Sequence, residues 1–337
     1  MGTPDSCNNS GASKSNNDGC EMNDMLNNMS TTDKDVSICA NCGKEGSDIT
    51  NICNKCKQVK YCNAACKKKH RHKHKKDCEE HIRLVAERAI ELHDIELFKQ
   101  PPPKEDCPIC FIHLPSIITG WRYKSCCGKV ICSGCAYAPV YDDQGNEVDN
   151  KKCPFCRTPK SKSEEEAIER IKKRKEAGDA YATYDLGCCY RDGDDGYPQD
   201  YTKAIELWHR AGKLGYSFAY NNIGCAYEHG QGAKLDEKKA THYYELAAMG
   251  GNVNARYNLG NLEGRAGNMD RALKHYLIAV SSGDAESLKQ IQLFYSKGHA
   301  TKEDYTTALQ SYQTYLGEIK SKQRDDAAAA DNRYRYH

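Results

Sequence analysis

Of the 20 cysteines in this chain of 337 residues, all but Cys7, Cys20, Cys188, Cys189 and Cys225 lie between Cys39 and Cys156. A stretch so rich in thiols and so poor in aliphatic side chains must be held by cross-links rather than by a hydrophobic core. The N-terminus, MGTPDSCNNS, has neither a basic start nor an apolar run, so no secretory signal is read there. The expectation is an intracellular protein of the cytoplasm or nucleus, not a secreted one. In that reducing setting, paired cysteines more often hold metal than form disulfides. No run approaches the roughly 18 apolar residues a membrane span needs.

The first cluster reads Cys39-x2-Cys42, Cys53-x2-Cys56, Cys62-x3-Cys66 and His74-x3-Cys78. Eight donors of this kind make two tetrahedral zinc sites, each Cys-x2-Cys knuckle supplying two thiolates from one tight turn. Cys62 and Cys66 stand four apart, as do His74 and Cys78, so on helices each pair faces one way. His70 and His72 lack that relation to Cys78 and are read as solvated. With so small a core, the fold is expected to depend on zinc.

The second cluster reads Cys107-Pro108-Ile109-Cys110, Cys126-Cys127, Cys132-x2-Cys135 and Cys153-Pro154-Phe155-Cys156. Three pairs and a doublet again point to two zinc ions, about four in the whole chain.

Beyond the cysteines the chain becomes periodic. Gly178, Gly215, Gly251 and Gly283 are spaced by 37, 36 and 32 residues, and an apolar residue (Leu186, Ile223, Leu259, Ile291) follows each at the same distance. In the second half of each unit Ala204, Ala240, Ala272 and Ala308 are followed four residues on by Trp208, Tyr244, Tyr276 and Tyr312. Ala211, Ala247, Ala279 and Tyr315 complete an i, i+4, i+7 face. Each unit is thus two helices that bury their apolar faces by stacking, an α-solenoid with a concave binding surface. Cys188, Cys189 and Cys225 fall at small-residue positions and read as packing residues.

The fold class expected is multidomain: two small zinc-stapled domains followed by an all-α helical repeat solenoid. A disordered N-terminal tail covers 1–37, rich in Ser, Asn, Asp and Gly. The first zinc domain covers 39–78, and a helix with a Pro linker covers 79–106. The second zinc domain covers 107–157, and a connecting helix opened by a Ser163/Glu166 capping box covers 163–177. About four repeats cover 178–318, and a frayed C-terminal tail covers 319–337.

Residues 39–78 resemble the MYND zinc finger, whose pattern closes with Tyr-Cys, a three-residue gap, Cys, and later His-Lys-x2-Cys. Here these are Tyr61-Cys62, Cys66 and His74-Lys75-Lys76-Asp77-Cys78. The resemblance implies interleaved ligands: Cys39, Cys42, Cys62 and Cys66 on one zinc, Cys53, Cys56, His74 and Cys78 on the other. It also implies peptide binding. The family usually has Trp after the first late His, whereas Arg71 follows His70 here, so the peptide groove is expected to differ.

Residues 107–157 resemble a RING domain, a cross-brace in which Cys107, Cys110, Cys132 and Cys135 share one zinc. The second zinc would take Cys153, Cys156 and ligands from Cys126-Cys127. Most such domains have Cys-Gly-His before the third pair, but this chain has Cys127-Gly128-Lys129, and a protonated lysine is a poor ligand. Either Cys126 replaces the histidine or His113 reaches in from the preceding loop; the sequence leaves both open. The resemblance implies ubiquitin ligation, in which a ubiquitin-conjugating enzyme is docked and its thioester-linked ubiquitin held in a reactive pose. Ile109 matches the apolar contact on that enzyme. Arg157 matches the residue that bridges enzyme and ubiquitin, a role suited to its planar fork of donors. The tryptophan that often precedes the last pair in the family has no clear counterpart here; Tyr137 and Tyr141 are the nearest aromatics.

The phrases Leu186-Gly187-x2-Tyr190 and Asp200-Tyr201-Thr202-Lys203-Ala204 resemble Sel1-like repeats, relatives of the tetratricopeptide repeat. That implies a protein scaffold. The expected partners are therefore proteins: peptide ligands of the finger, partners of the repeats, and a conjugating enzyme. Two functions compete, a RING-type ubiquitin ligase and a non-catalytic adaptor. Ile109 and Arg157 favour the first, Lys129 the second. Nucleic acid is the weaker partner. The run Lys67–Lys76 is intensely basic, but the formal net charge is only +2 and no base-stacking aromatics interleave it. Its plainer reading is a solvated helix face. No phosphate loop or nucleophile elbow supports another enzyme class. MYND fingers occur in some lysine methyltransferases, but no SET sequence surrounds this one.

Overall fold

The computed structural model describes residues 37–337 except 48, 139, 142, 143, 145, 146, 149–151 and 195. The tail expected at 1–37 therefore lies, but for Ser37, outside the described residues. The chain separates into two compact units, the first ending at Ile90 and the second beginning at Glu91.

In the first unit β1 (Asn51–Ile52) pairs antiparallel with β2 (Lys60–Tyr61), and α1 (Ala64–Leu97) follows. Asn63 caps α1, its Oδ1 accepting the Cys66 amide at 2.9 Å. The helix expected from residue 79 thus begins at Ala64 and carries Cys66, His74 and Cys78 on one continuous rod. The core is small: Cys39, Ile49 and Tyr61 are buried, with cysteines packed around them.

In the second unit Pro101-Pro102-Pro103 keeps α1 from running on. A hairpin follows, β3 (Trp121–Lys124) antiparallel to β4 (Lys129–Cys132), with Trp121 opposite Cys132 and Lys124 opposite Lys129. The short helix α2 (Ser133–Tyr137) comes next, then β5 (Val140–Tyr141) paired with β6 (Glu147–Val148). The remainder is helical: α3 (Glu164–Glu176), α4 (Ala180–Asp192), α5 (Tyr201–Lys213), α6 (Ser217–His229), α7 (Glu237–Met249), α8 (Val253–Arg265), α9 (Met269–Ser281), α10 (Ala285–Ser296), α11 (Lys302–Ile319) and α12 (Lys322–Ala330). No helix among the described residues is long and apolar enough to cross a membrane.

Helices α4 to α11 stack as consecutive pairs. The four period-marking glycines end the preceding helix at positive φ, 80°, 96°, 84° and 98°, where a Cβ is strained. The next helix is then capped by Asp179, Asn252 or Asp284 in three of the four units. The glycines inside the helices serve close packing: a Cβ on Gly224 would stand 2.6 Å from the Tyr244 ring. Ala204, Trp208, Ala211, Ala240, Tyr244, Ala247, Ala272, Tyr276 and Ala279 are all buried. In the fourth unit Ala308 and Tyr315 are buried and Tyr312 is half-buried.

Two local expectations are corrected. Ser163 accepts the Glu166 amide at 3.3 Å, but the Glu166 carboxylate accepts from Lys162 rather than from Ser163, so the cap is one-sided. The tail from residue 319 is not frayed. It forms α12, Arg324 and Tyr336 are almost fully buried, and the Arg324 guanidinium donates to the carbonyls of Ile319, Ile112 and His113 at 2.6, 3.2 and 2.8 Å. Gly134 of α2 admits this contact, since a Cβ there would lie 2.8 Å from the Arg324 amide nitrogen.

The second cysteine cluster is therefore built into the helical array. Tyr123 donates its hydroxyl proton to Asp179 at 2.6 Å. Arg174 holds the carbonyls of Ser125 and Cys126 at 3.1 and 3.0 Å. The Tyr315 hydroxyl accepts the Ser116 amide at 2.8 Å.

Candidate metal centres

Four turns of one design present the thiols. In four of the five Cys-x2-Cys pairs, all but Cys132-x2-Cys135, the residue after the second cysteine returns its amide to the carbonyl of the first: Gly43 to Cys39, Lys57 to Cys53, Phe111 to Cys107 and Arg157 to Cys153, at 2.9, 3.1, 2.9 and 2.9 Å. All four returning residues lie in the left-handed region, with φ of 72°, 60°, 57° and 62°. The turn closes on the carbonyl, so both thiols leave on the same side.

These turns and the elements between them gather four sets of side chains. They are Cys39, Cys42, Cys62 and Cys66; Cys53, Cys56, His74 and Cys78; Cys107, Cys110, Cys132 and Cys135; and Cys126, Cys127, Cys153 and Cys156. Within each set the donor atoms all lie within 4.8 Å of one another. Sulfur–sulfur separations are 3.7 Å for Cys42–Cys62, 3.6 Å for Cys62–Cys66, 3.8 Å for Cys53–Cys78, 3.8 Å for Cys110–Cys132 and 3.4 Å for Cys126–Cys156. His74 turns its Nε2 to the Cys56 sulfur at 3.3 Å. A tetrahedron with zinc–sulfur bonds of about 2.3 Å has edges of about 3.8 Å, whereas a disulfide requires about 2.05 Å. The donor sets fit zinc, and the described cysteines are free of disulfides.

The acid–base character of the thiols points the same way. The backbone amide of Cys62 chiefly holds Cys39 down at about 6, while the hydrogen bond with Cys66 chiefly pushes Cys62 up to about 12. In the second set burial raises Cys53, but the amides of Cys56 and Lys55 outweigh it and bring the thiol to about 6; burial pushes Cys78 up to about 11. Cys107 is lowered and Cys135 raised, each chiefly by its side-chain hydrogen bonds to the neighbouring thiols. Four thiolates cannot share so small a space unaided, so protons remain on some. A divalent cation supplies the missing positive charge and lets every donor ionise. Amides assist: Cys132 and Cys135 donate to the sulfurs of Cys107 and Cys132 at 3.4 and 3.3 Å.

Cys126 rather than His113 lies in the fourth set; His113 Nδ1 instead meets Asp106 at 2.5 Å. Lys129 is exposed at the start of β4. His72 is exposed, but His70 is not solvated as expected: it is half-buried, its Nδ1 3.3 Å from the Tyr61 hydroxyl and its ring stacked on His74. It positions the ligand from behind, a role that donor spacing alone could not reveal. Ile109 is half-buried against Cys107, Ile131 and Cys132, while Arg157 is exposed. Cys188, Cys189 and Cys225 are half-buried and belong to no set.

Comparison with known proteins bears on both ends of the chain. The profile of the MYND finger matches residues 39–78, and that of the Sel1 repeat matches 180–216, 217–252 and 253–284. The E3 ubiquitin-protein ligase GW2 of Oryza sativa subsp. indica is 33% identical over 81 residues, 21% of this chain and 17% of that protein. The DAP3-binding cell death enhancer 1 of Mus musculus is 30% identical over 154 residues, 34% of this chain and 30% of that protein. The chain thus spans less than a third of either relative. Among solved structures, a Sel1 repeat protein from Oxalobacter formigenes is 29% identical over 52% of this chain and 68% of that one, with a TM-score of 0.41. The fourth helix pair, α10 and α11, extends the stack beyond the three matched repeats. The protein joins a MYND finger at residues 39–78, within a cysteine-rich zinc-binding region, to an all-helical array of Sel1 repeats that starts at residue 180.

Proposed function

We propose that the chain is a zinc-dependent protein-interaction protein whose second cysteine cluster acts as a RING-type ubiquitin ligase and whose repeats recruit the substrate. In this reading the working parts are residues 39–78, 107–157 and 178–318, and the sixteen gathered side chains hold four zinc ions. The observation that carries it is the interleaving in the second cluster. The pair Cys107/Cys110 lies with Cys132/Cys135, and Cys126/Cys127 with Cys153/Cys156. That arrangement supports a rigid double-looped platform with Arg157 exposed at its end. The zinc ions would shape this platform; the reaction itself would come from positioning. Ile109 would contact the conjugating enzyme, and Arg157 would donate to carbonyls of enzyme and ubiquitin together.

One observation favours the alternative, a non-catalytic adaptor. Helix α12 packs on α2 and the 112–113 loop of the same cluster, so part of its surface is already taken.

The test uses the full zinc-loaded chain with a panel of ubiquitin-charged conjugating enzymes, following discharge of ubiquitin onto free lysine. Acceleration that disappears in Arg157→Ala establishes the ligase. No acceleration by any enzyme, from protein with its zinc in place, leaves the adaptor.

A further inference from the structure

The first three turns of α1 break the rules of helix electrostatics. Like charges three or four residues apart on a helix repel. Yet Lys68, Lys69, Arg71, Lys73, Lys75 and Lys76 crowd this stretch, all of them exposed. The pairs Lys68/Arg71, Lys69/Lys73, Arg71/Lys75 and Lys73/Lys76 all have repulsive spacing. Lys67 alone is used within the finger, its Nζ donating to Ile52 O at 2.7 Å and Asn54 Oδ1 at 2.8 Å. No carboxylate among the described residues pairs with the other six. They project from the arc of α1 opposite Cys66, His70, His74 and Cys78, which face the finger.

Further along the same helix the character changes. Ile82, Leu84, Val85 and Ile90 are exposed at 39%, 52%, 40% and 63%. The charge also reverses: Asp77, Glu79, Glu80 and Glu87 outnumber Arg83 and Arg88. A phosphodiester backbone would meet attraction for three turns, then net repulsion and bare aliphatic surface for which it has no complement. A polypeptide can satisfy both halves, because carboxylates and aliphatic side chains can follow one another along it. Lys73, Lys75 and Lys76 have an acidic residue four places on (Asp77, Glu79, Glu80), but Lys68, Lys69 and Arg71 have none at helical spacing, and a local rule broken without compensation inside the chain marks a functional surface.

We infer that the side of α1 carrying Lys68, Arg71, Lys75, Ile82 and Val85, which fall within about 100° of arc, docks a partner protein through a segment in which a run of aspartates and glutamates adjoins aliphatic residues. The first half steers and holds the acidic run; the second buries the aliphatic one. This rests on the reading of the chain as a protein-binding one, but not on ligation, and the discharge assay does not report on α1, so the two fail separately.

The test measures fluorescence anisotropy of a labelled peptide of about 20 residues, its acidic half joined to a leucine-bearing half, against the full zinc-loaded chain. A copy with the leucines changed to serine and a DNA duplex of about 20 base pairs serve as comparison probes. Saturable binding of the first peptide is expected, weaker at about 300 mM than at about 50 mM salt. The triple change Lys68→Glu, Arg71→Glu and Lys75→Glu weakens it roughly tenfold or more. Ile82→Ser with Val85→Ser weakens it roughly fivefold, to the level of the serine peptide. Should charge reversal cost the finger its zinc, Lys68→Gln with Lys75→Gln carries the same test in a milder form. Peptide binding that is absent, or indifferent to both sets of changes, overturns the proposal. So does a duplex that binds more tightly than the peptide and ignores Ile82 and Val85, which would make the face a nucleic-acid surface.

Discussion

The backbone amide of Arg157 donates to the carbonyl oxygen of Cys153 across 2.9 Å, with Arg157 itself at φ 62°. Phe111 and Lys57 repeat the relation, and these three are the non-glycine residues at positive φ among those described. Each costs about 1–2 kcal/mol of backbone strain relative to glycine, the residue used at Gly43. The strain stays localised because the knuckle aims both thiols at a single centre.

Relieving it is a direct check on the turn. Lys57 is exposed, so Lys57→Gly is expected to stabilise the zinc-loaded finger by about 1 kcal/mol, net of the entropy glycine adds to the unfolded chain. A thermal midpoint that stays level or falls would show the turn to be unstrained. Arg157→Gly separates backbone from side chain: the fold should hold, while the discharge expected of the proposed ligase should be lost.

Metal content follows from the four donor sets. Zinc assay of the full chain should return about four ions, and Cys78→Ser about three. Chelation should remove hydrogen-exchange protection from residues 39–62, whose buried core beyond the ligands amounts to little more than Ile49 and Tyr61, while the repeats keep theirs.

Arg324 should matter more than its place near the C-terminus implies. Arg324→Ala leaves the carbonyls of Ile112, His113 and Ile319 without their donor and opens a cavity beside α2. The expected loss is about 3 kcal/mol, read as a lower urea midpoint for the second unit. Native-like stability in the variant would mean that α12 is only loosely held.

His275 gives the repeats a pH dependence. Burial, helped by the nearby Arg256 and Arg271, lowers its pKa to about 3. Its ring is fully buried, 4.7 Å from that of Phe98. The folded state therefore holds the neutral form, so its contribution is complete above about pH 6.5 and falls away as the pH drops toward 3. Between pH 7 and pH 5 this one group should withdraw about 2 kcal/mol from the stability of the second unit. The comparison is urea denaturation of wild type and His275→Gln at both pH values; equal slopes would assign the dependence elsewhere.

Much of this was legible before any coordinates. Metal ligation depends on short spacings, and Cys-x2-Cys turns and i, i+4 pairs are local, so the donors could be read from order alone. The repeats announced themselves because each unit buries the same small and aromatic positions, from Ala204 and Trp208 onward. Tertiary structure alone decided the rest. It brought Cys126 into the fourth set and left His113 to Asp106, because loop closure between distant segments has no local signature. It set His70 behind His74, since a helix phase becomes meaningful only once the opposite face has a neighbour. It also turned the segment from Ser321 to Ala330 into a brace anchored by the buried Arg324 and Ala327. Arg324 finds the Ile319 carbonyl five residues away, but it reaches those of Ile112 and His113 only when chain segments about two hundred residues apart are folded together.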